Sequence, residues 1–171
     1  MNTLNLLIPY NYIVNLGNLT WSDLFFAIKH GYLNPEAATE HAMYVISEEQ
    51  FPSQDVIDLA WLKKGEDVHP YFDKLLAPMS MEEYSIAQEK ILYVVLKWVF
   101  ENKEHYADPF EVVETIYADF DYPEEISQFV RYMPSNQPLL DLVDFNKERL
   151  YKNWSDYLEK QKKKYSVSDE R

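Results

Sequence analysis

The chain has 171 residues, a formal net charge of −13, 47% hydrophobic and 16% aromatic residues, and no cysteine. That apolar content supplies a buried core and excludes a disordered body, and the missing thiols exclude disulfides, thiolate zinc sites and cysteine nucleophiles. The excess of carboxylates argues against nucleic acid, whose phosphates need Lys and Arg, and favours a basic protein partner reached by fast, salt-sensitive association.

One folded domain is the default at this length, with two small helical lobes as the other arrangement that fits. Glycine occurs only at Gly17, Gly31 and Gly65. Isolated glycines suit neither a sheet-rich fold nor the closely spaced Gly motifs that cradle phosphate. The first residues, Met1 to Asn5, lack the basic region of a secretory signal. The most apolar run, Ile91 to Phe100, is interrupted by Lys97 and is far shorter than the ~20 residues that span a bilayer. The expectation is a cytoplasmic protein with no membrane partner.

In chain order, residues 2–16 are the least regular. Leu4, Leu6 and Ile8 alternate, but Pro9 follows at once. One short strand makes no sheet, so extended packing or a helical turn is expected. Thr20 caps a helix through Leu24, Phe25, Ala27 and Ile28, with Asp23 three residues on as a shortened version of the capping box and Gly31 as the stop. Asn34-Pro35 opens the next helix, with Pro at its first position and Ala38, Ala42, Val45 and Ile46 on one face. Ser53 caps a third helix carrying Val56, Ile57, Ala60 and Trp61, ended by Gly65. A short helix follows at Pro70 to Leu76.

Ser80 and Glu83 form a full capping box. The helix after it reaches about Asn102, with Tyr84, Ala87, Ile91, Val95 and Trp98 on one stripe, and serves as the central core helix. Asp108-Pro109 repeats the cap-plus-proline start, and that helix ends near Asp119. Tyr122-Pro123 begins a short helix, Met133 to Pro138 is a loop, and a last helix runs from about Leu139 to Lys164. Its early half is apolar at Leu139, Leu142, Val143 and Leu150. From Lys147 to Lys164 it carries seven bases and three acids, a pattern that suits a helix C-terminus. The fold class is mainly α, a single compact domain over residues 1–165 of about seven or eight helices, with residues 166–171 frayed.

Charge is concentrated in one stretch. From Glu104 to Val130 there are eight acids (Glu104, Asp108, Glu111, Glu114, Asp119, Asp121, Glu124, Glu125) and no Lys or Arg. Tyr106, Phe110, Tyr117, Phe120, Tyr122 and Phe129 run through it. Capping, the helix dipole and core packing account for part of this pattern. The binding interpretation is a pad of carboxylates around exposed tyrosines, a residue type enriched at interface hot spots.

Catalytic and metal motifs are missing from the sequence. Asp119 and Asp121 match two positions of a calcium loop, but Tyr122-Pro123 breaks the pattern and no glycine follows. The histidines, His30, His41, His69 and His105, make no His-Glu-x-x-His. Glu101, Glu104, His105 and Asp108 have the spacing of one helical face, which is equally the look of an ordinary polar helix end. No Gly-x-Ser-x-Gly occurs. No catalytic residue, metal or cofactor is expected. The four tryptophans, Trp21, Trp61, Trp98 and Trp154, sit on predicted helix faces, with core packing the expected role of most and Trp21 only partly covered.

Ile116-Tyr117-Ala118-Asp119-Phe120-Asp121-Tyr122-Pro123-Glu124-Glu125-Ile126, with Phe129 to Pro134, Leu19 to Asp23 and His30-Gly31, resembles a family of small acidic bacterial proteins classed as a domain of unknown function. The resemblance covers most of the chain and implies no activity. In general character the chain is also similar to immunity proteins of bacterial toxin systems, which are small, cytoplasmic, acidic and cysteine-poor. The leading expectation is a non-enzymatic module that binds a basic protein, in its most concrete form an inhibitor occupying a toxin's basic substrate groove. Glu111, Glu114, Asp119, Asp121, Glu124 and Glu125 would supply charge, and Tyr117 and Tyr122 would anchor. A helical adaptor with an apolar groove, a carboxylate enzyme with or without metal, and a structural protein acidic for solubility alone are the alternatives. Oligomeric state is not legible.

Overall fold

The computed structural model describes residues 2–17, 19–76, 79–131 and 143–166. Over these residues the chain is helical, with no strand: α1 Tyr10–Val14, α2 Trp21–Lys29, α3 Glu36–Glu48, α4 Gln54–Ala60, α5 His69–Leu75, α6 Met81–Glu101, α7 Pro109–Asp119 and α8 Val143–Ser166, with 3-10 helices at Lys103–His105 and Glu124–Phe129. The expected mainly α class holds. The chain divides into two compact units. One comprises Asn5–Ile91, the other Met1–Leu4 with Leu92–Arg171, so the boundary falls inside α6.

Local chemistry explains where the helices begin. Thr20 and Asp23 exchange side-chain-to-backbone hydrogen bonds at 3.1 and 3.0 Å, a closed capping box at α2. Ser53 accepts from the Val56 amide and Ser80 from the Glu83 amide. Each bond satisfies an amide that the first helical turn leaves without a partner. Asn34 accepts from the Glu36 amide at 2.9 Å, and Pro35, immediately before Glu36, already has helical angles, φ −53° and ψ −27°. In residues 2–16 the helical turn is α1, entered through extended Pro9. The Ile8 amide donates to the Tyr32 carbonyl at 2.7 Å, which ties the preceding extended stretch down.

Within the Asn5–Ile91 unit, α3 packs on α4, α4 on α5, and α2 on both α3 and α5. α3 buries Ala37, Ala38 and Ala42, and small side chains let a neighbouring helix axis come close. Leu24, Phe26, Ala27, Leu33, Leu59 and Phe72 are also core. Two polar groups are buried among them. Asp23, 2% exposed, closes its capping box and also meets Lys90 Nζ at 2.9 Å. His41, 3% exposed, shares a hydrogen bond of 2.9 Å with the Tyr10 hydroxyl and lies edge-on to Trp21, 4.8 Å between ring centres. Burial pulls His41 down to about 4, although a hydrogen bond to the Leu19 backbone and the Asp23 charge work upward.

Trp61 departs from its expected core role. α4 stops at Ala60, well before Gly65, which was expected to end it, and Trp61 becomes the capping residue beyond it. Trp61 is 81% exposed.

The other unit is built on α8. Trp154 is fully buried, stacked on Phe129 at 5.8 Å and edge-on to Phe100 at 5.0 Å. α8 packs against the 3-10 helix Glu124–Phe129, and Asn153 Nδ2 donates to the Gln128 carbonyl at 3.0 Å. α6 is buried all round from Ile91 to Leu96, as expected of a central helix. The expected loop Met133 to Pro138, the predicted start of the last helix at Leu139 with Leu142, and the tail beyond Ser166 lie outside the described residues.

Candidate functional site

Within the acidic stretch, Asp108 Oδ1 accepts from the Phe110 amide at 3.2 Å as the cap of α7. Pro109 follows in the first turn, where a missing N–H leaves no hydrogen bond unmade. α7 turns Phe110, Val112, Val113, Ile116 and Tyr117 inward and leaves Glu111 and Ala118 exposed.

The end of α7 is unusual. The Tyr122 amide donates to the Tyr117 carbonyl at 2.8 Å and the Asp121 amide to the Ala118 carbonyl at 3.1 Å. These are the paired bonds of a Schellman motif. α2 ends the same way: Tyr32 donates to the Ala27 carbonyl at 2.8 Å and Gly31 to the Ile28 carbonyl at 3.1 Å. There the left-handed residue is Gly31, φ +80°. At α7 it is Asp121, φ +62°, and Tyr122 follows at φ +59°. Aspartate tolerates this region; a bulky ring there is strained. Strain of this kind persists only where surrounding structure enforces it, and it gathers at functional positions.

The turn sets Tyr122 outward, 59% exposed, with its ring edge-on to Tyr117 at 5.3 Å. Tyr117 itself is 4% exposed, so the expected second anchor is instead the core residue that supports the first. Phe110, Phe120 and Phe129 are buried as well. The aromatic half of the expected pad is therefore mostly core.

The acids divide in the same way. Arg131, the first base after the stretch, meets Asp108 at 3.0 Å and Glu114 at 2.7 Å. The hydrogen bond that Arg131 donates to Glu114, and then the one that it donates to Asp108, hold its guanidinium above the usual arginine range. Asp119 accepts from the Thr3 amide at 2.9 Å and from the Thr3 hydroxyl at 2.6 Å. Glu114 and Asp119 thus have structural partners. Glu111, Asp121, Glu124 and Glu125 are exposed, and none of them has an ion pair among the described residues. Glu124 and Glu125 occupy the first turn of the 3-10 helix that follows Pro123. What the stretch leaves exposed is the Asp121-Tyr122 turn with the two glutamates after it and, in the first turn of α7, Glu111.

Glu101, Glu104, His105 and Asp108 do not share a helical face. α6 ends at Glu101, Glu104 and His105 fall in the 3-10 turn, and Asp108 caps α7. Glu101 is paired with Lys97. Among the described residues no group of three or more His, Asp and Glu is placed to hold a metal ion, and no helix is long and apolar enough to cross a membrane.

The architecture is that of a mainly α protein whose distinguishing surface is an acidic turn. A family model described as an uncharacterized protein conserved in bacteria, DUF2247, matches residues 10–162, and the chain belongs to that family. No curated protein and no solved structure matches it.

Proposed function

We propose that this protein is a non-enzymatic binding module for a basic protein, and that Glu111, Asp121, Tyr122, Glu124 and Glu125 form the docking edge. The observation that carries this reading is the left-handed Asp121-Tyr122 pair. A glycine would hold the first position at lower conformational cost. The chain instead keeps a carboxylate there and a half-exposed ring beside it, already oriented by Tyr117. A pre-set aromatic loses little freedom on binding, and carboxylates around it steer a cationic partner and resist the wrong one. An immunity-like inhibitor, whose acidic edge fills the basic groove of a toxin, is the most concrete form of this activity.

The test is affinity capture from native cell extract at low ionic strength, comparing the wild-type protein with a variant carrying Asp121→Lys, Glu124→Lys and Glu125→Lys. The expected result is a basic protein held by the wild type, released by rising salt, and associating with the variant about tenfold or more slowly. Equal capture of the same protein by both would overturn the assignment.

A further inference from the structure

The Asn5–Ile91 unit carries a second feature, independent of the acidic turn. A groove of about 480 Å3 runs between α3 and the loop of residues 62–69. Its size lies within the range of ligand sites. One wall is a single face of α3, with Glu36, Glu40 and Met43 one turn apart. The opposite wall turns through Gly65, φ +91°, and a side chain added there would meet nothing.

The groove is both apolar and acidic. Met43, Leu62 and Val68 line it, and Trp61, immediately before Leu62, stands exposed. Glu36 is spanned by Lys64 at 3.9 Å, a loose pair between exposed groups. Asp67 is held by His69 at 2.7 Å. Glu40 and Glu66 also line it, and neither has an ion pair among the described residues. Lys63 and Lys64 offset only part of the negative charge.

We infer that this groove takes a short peptide segment of a protein partner in which arginine or lysine lies next to apolar residues. The cation meets Glu40 and Glu66. The apolar side chain rests on Met43 and Leu62, where a thioether adapts to varied shapes. An anionic ligand is opposed by the carboxylates. A neutral apolar ligand leaves Glu40 and Glu66 unanswered, and a polyamine has no branched apolar group for Met43 and Leu62.

The test uses the full chain and fluorescein-labelled hexapeptides followed by anisotropy at low salt. The probe is Leu-Leu-Arg-Arg-Leu-Leu; the controls are Leu-Leu-Glu-Glu-Leu-Leu, Gly-Gly-Arg-Arg-Gly-Gly and spermine. The probe is expected to bind about tenfold or more tightly than any control. Glu40→Lys and Glu66→Lys, each at an exposed position, should weaken the probe about five- to tenfold. The triple reversal at Asp121, Glu124 and Glu125 should change it by less than about twofold. Equal binding of the glycine peptide or spermine overturns the inference, because charge alone then suffices. Loss of the probe in the triple reversal with full retention in Glu40→Lys and Glu66→Lys overturns it as well, and would leave the acidic turn as the cationic site.

Discussion

Tyr122 is joined to Tyr117 twice: by a backbone hydrogen bond of 2.8 Å that closes the end of α7, and by an edge-on ring contact at 5.3 Å. The buried ring and its carbonyl together hold an exposed ring in a conformation that tyrosine seldom adopts. Support and anchor are five residues apart, and they should respond very differently to the same substitution.

Tyr117→Ala removes a core ring and should cost about 3–4 kcal/mol of stability. Tyr122→Ala removes one ring contact and should cost about 1 kcal/mol or less, while weakening capture of the basic partner more than any single acid reversal. Urea denaturation of both variants, beside partner binding, separates the two roles. Comparable stability losses would mean that Tyr122 is simply part of the core.

Asp121→Gly puts at α7 the residue that α2 already uses at Gly31. Relief of the left-handed strain should raise stability by about 0.5–1 kcal/mol, while loss of one carboxylate slows association with a basic partner. A rise in the denaturation midpoint with a fall in on-rate would identify Asp121 as retained for its charge. A fall in stability would show that its carboxylate supports the turn.

Asp23 closes the α2 capping box and meets Lys90 in a largely buried setting. Asp23→Ala removes both at once and should cost about 3–5 kcal/mol. Lys90→Met should cost less, because an apolar chain fills much of the same space. In a double-mutant cycle the pair should show a coupling of at least about 1 kcal/mol; additive losses would reduce Asp23 to a cap.

His41 makes stability depend on pH. Its folded-state pKa, about 4, lies below the ordinary histidine value of 6.5, so folding favours the neutral ring. The stabilisation is fully present above about pH 6.5 and is lost as pH falls through the interval down to about 4, with a total of about 3 kcal/mol. Denaturation curves at several pH values between 7.5 and 4 should show that slope in the wild type and a shallower one in His41→Gln. Parallel curves would mean that His41 is protonated at little cost.

The helix starts were legible in the sequence because caps are local chemistry. Thr20 with Asp23, Ser53, Ser80 with Glu83, and Asp108 each act on an amide within three residues, and no distant part of the chain is needed to form the bond. The acidic stretch was legible as a concentration of charge, but its division into surface and core was not. Arg131 pairs with Glu114 across 17 residues, Asp119 holds Thr3 across 116, and Phe129 is covered by Trp154 of α8. Trp61 was misplaced because one early helix end turns a predicted inward face into a cap. Sequence alone determined the helical class, the caps and the location of the charge, since these depend on neighbours along the chain. Only the tertiary structure decided which carboxylates are exposed and which tyrosine is, because burial and ion pairing depend on neighbours in space.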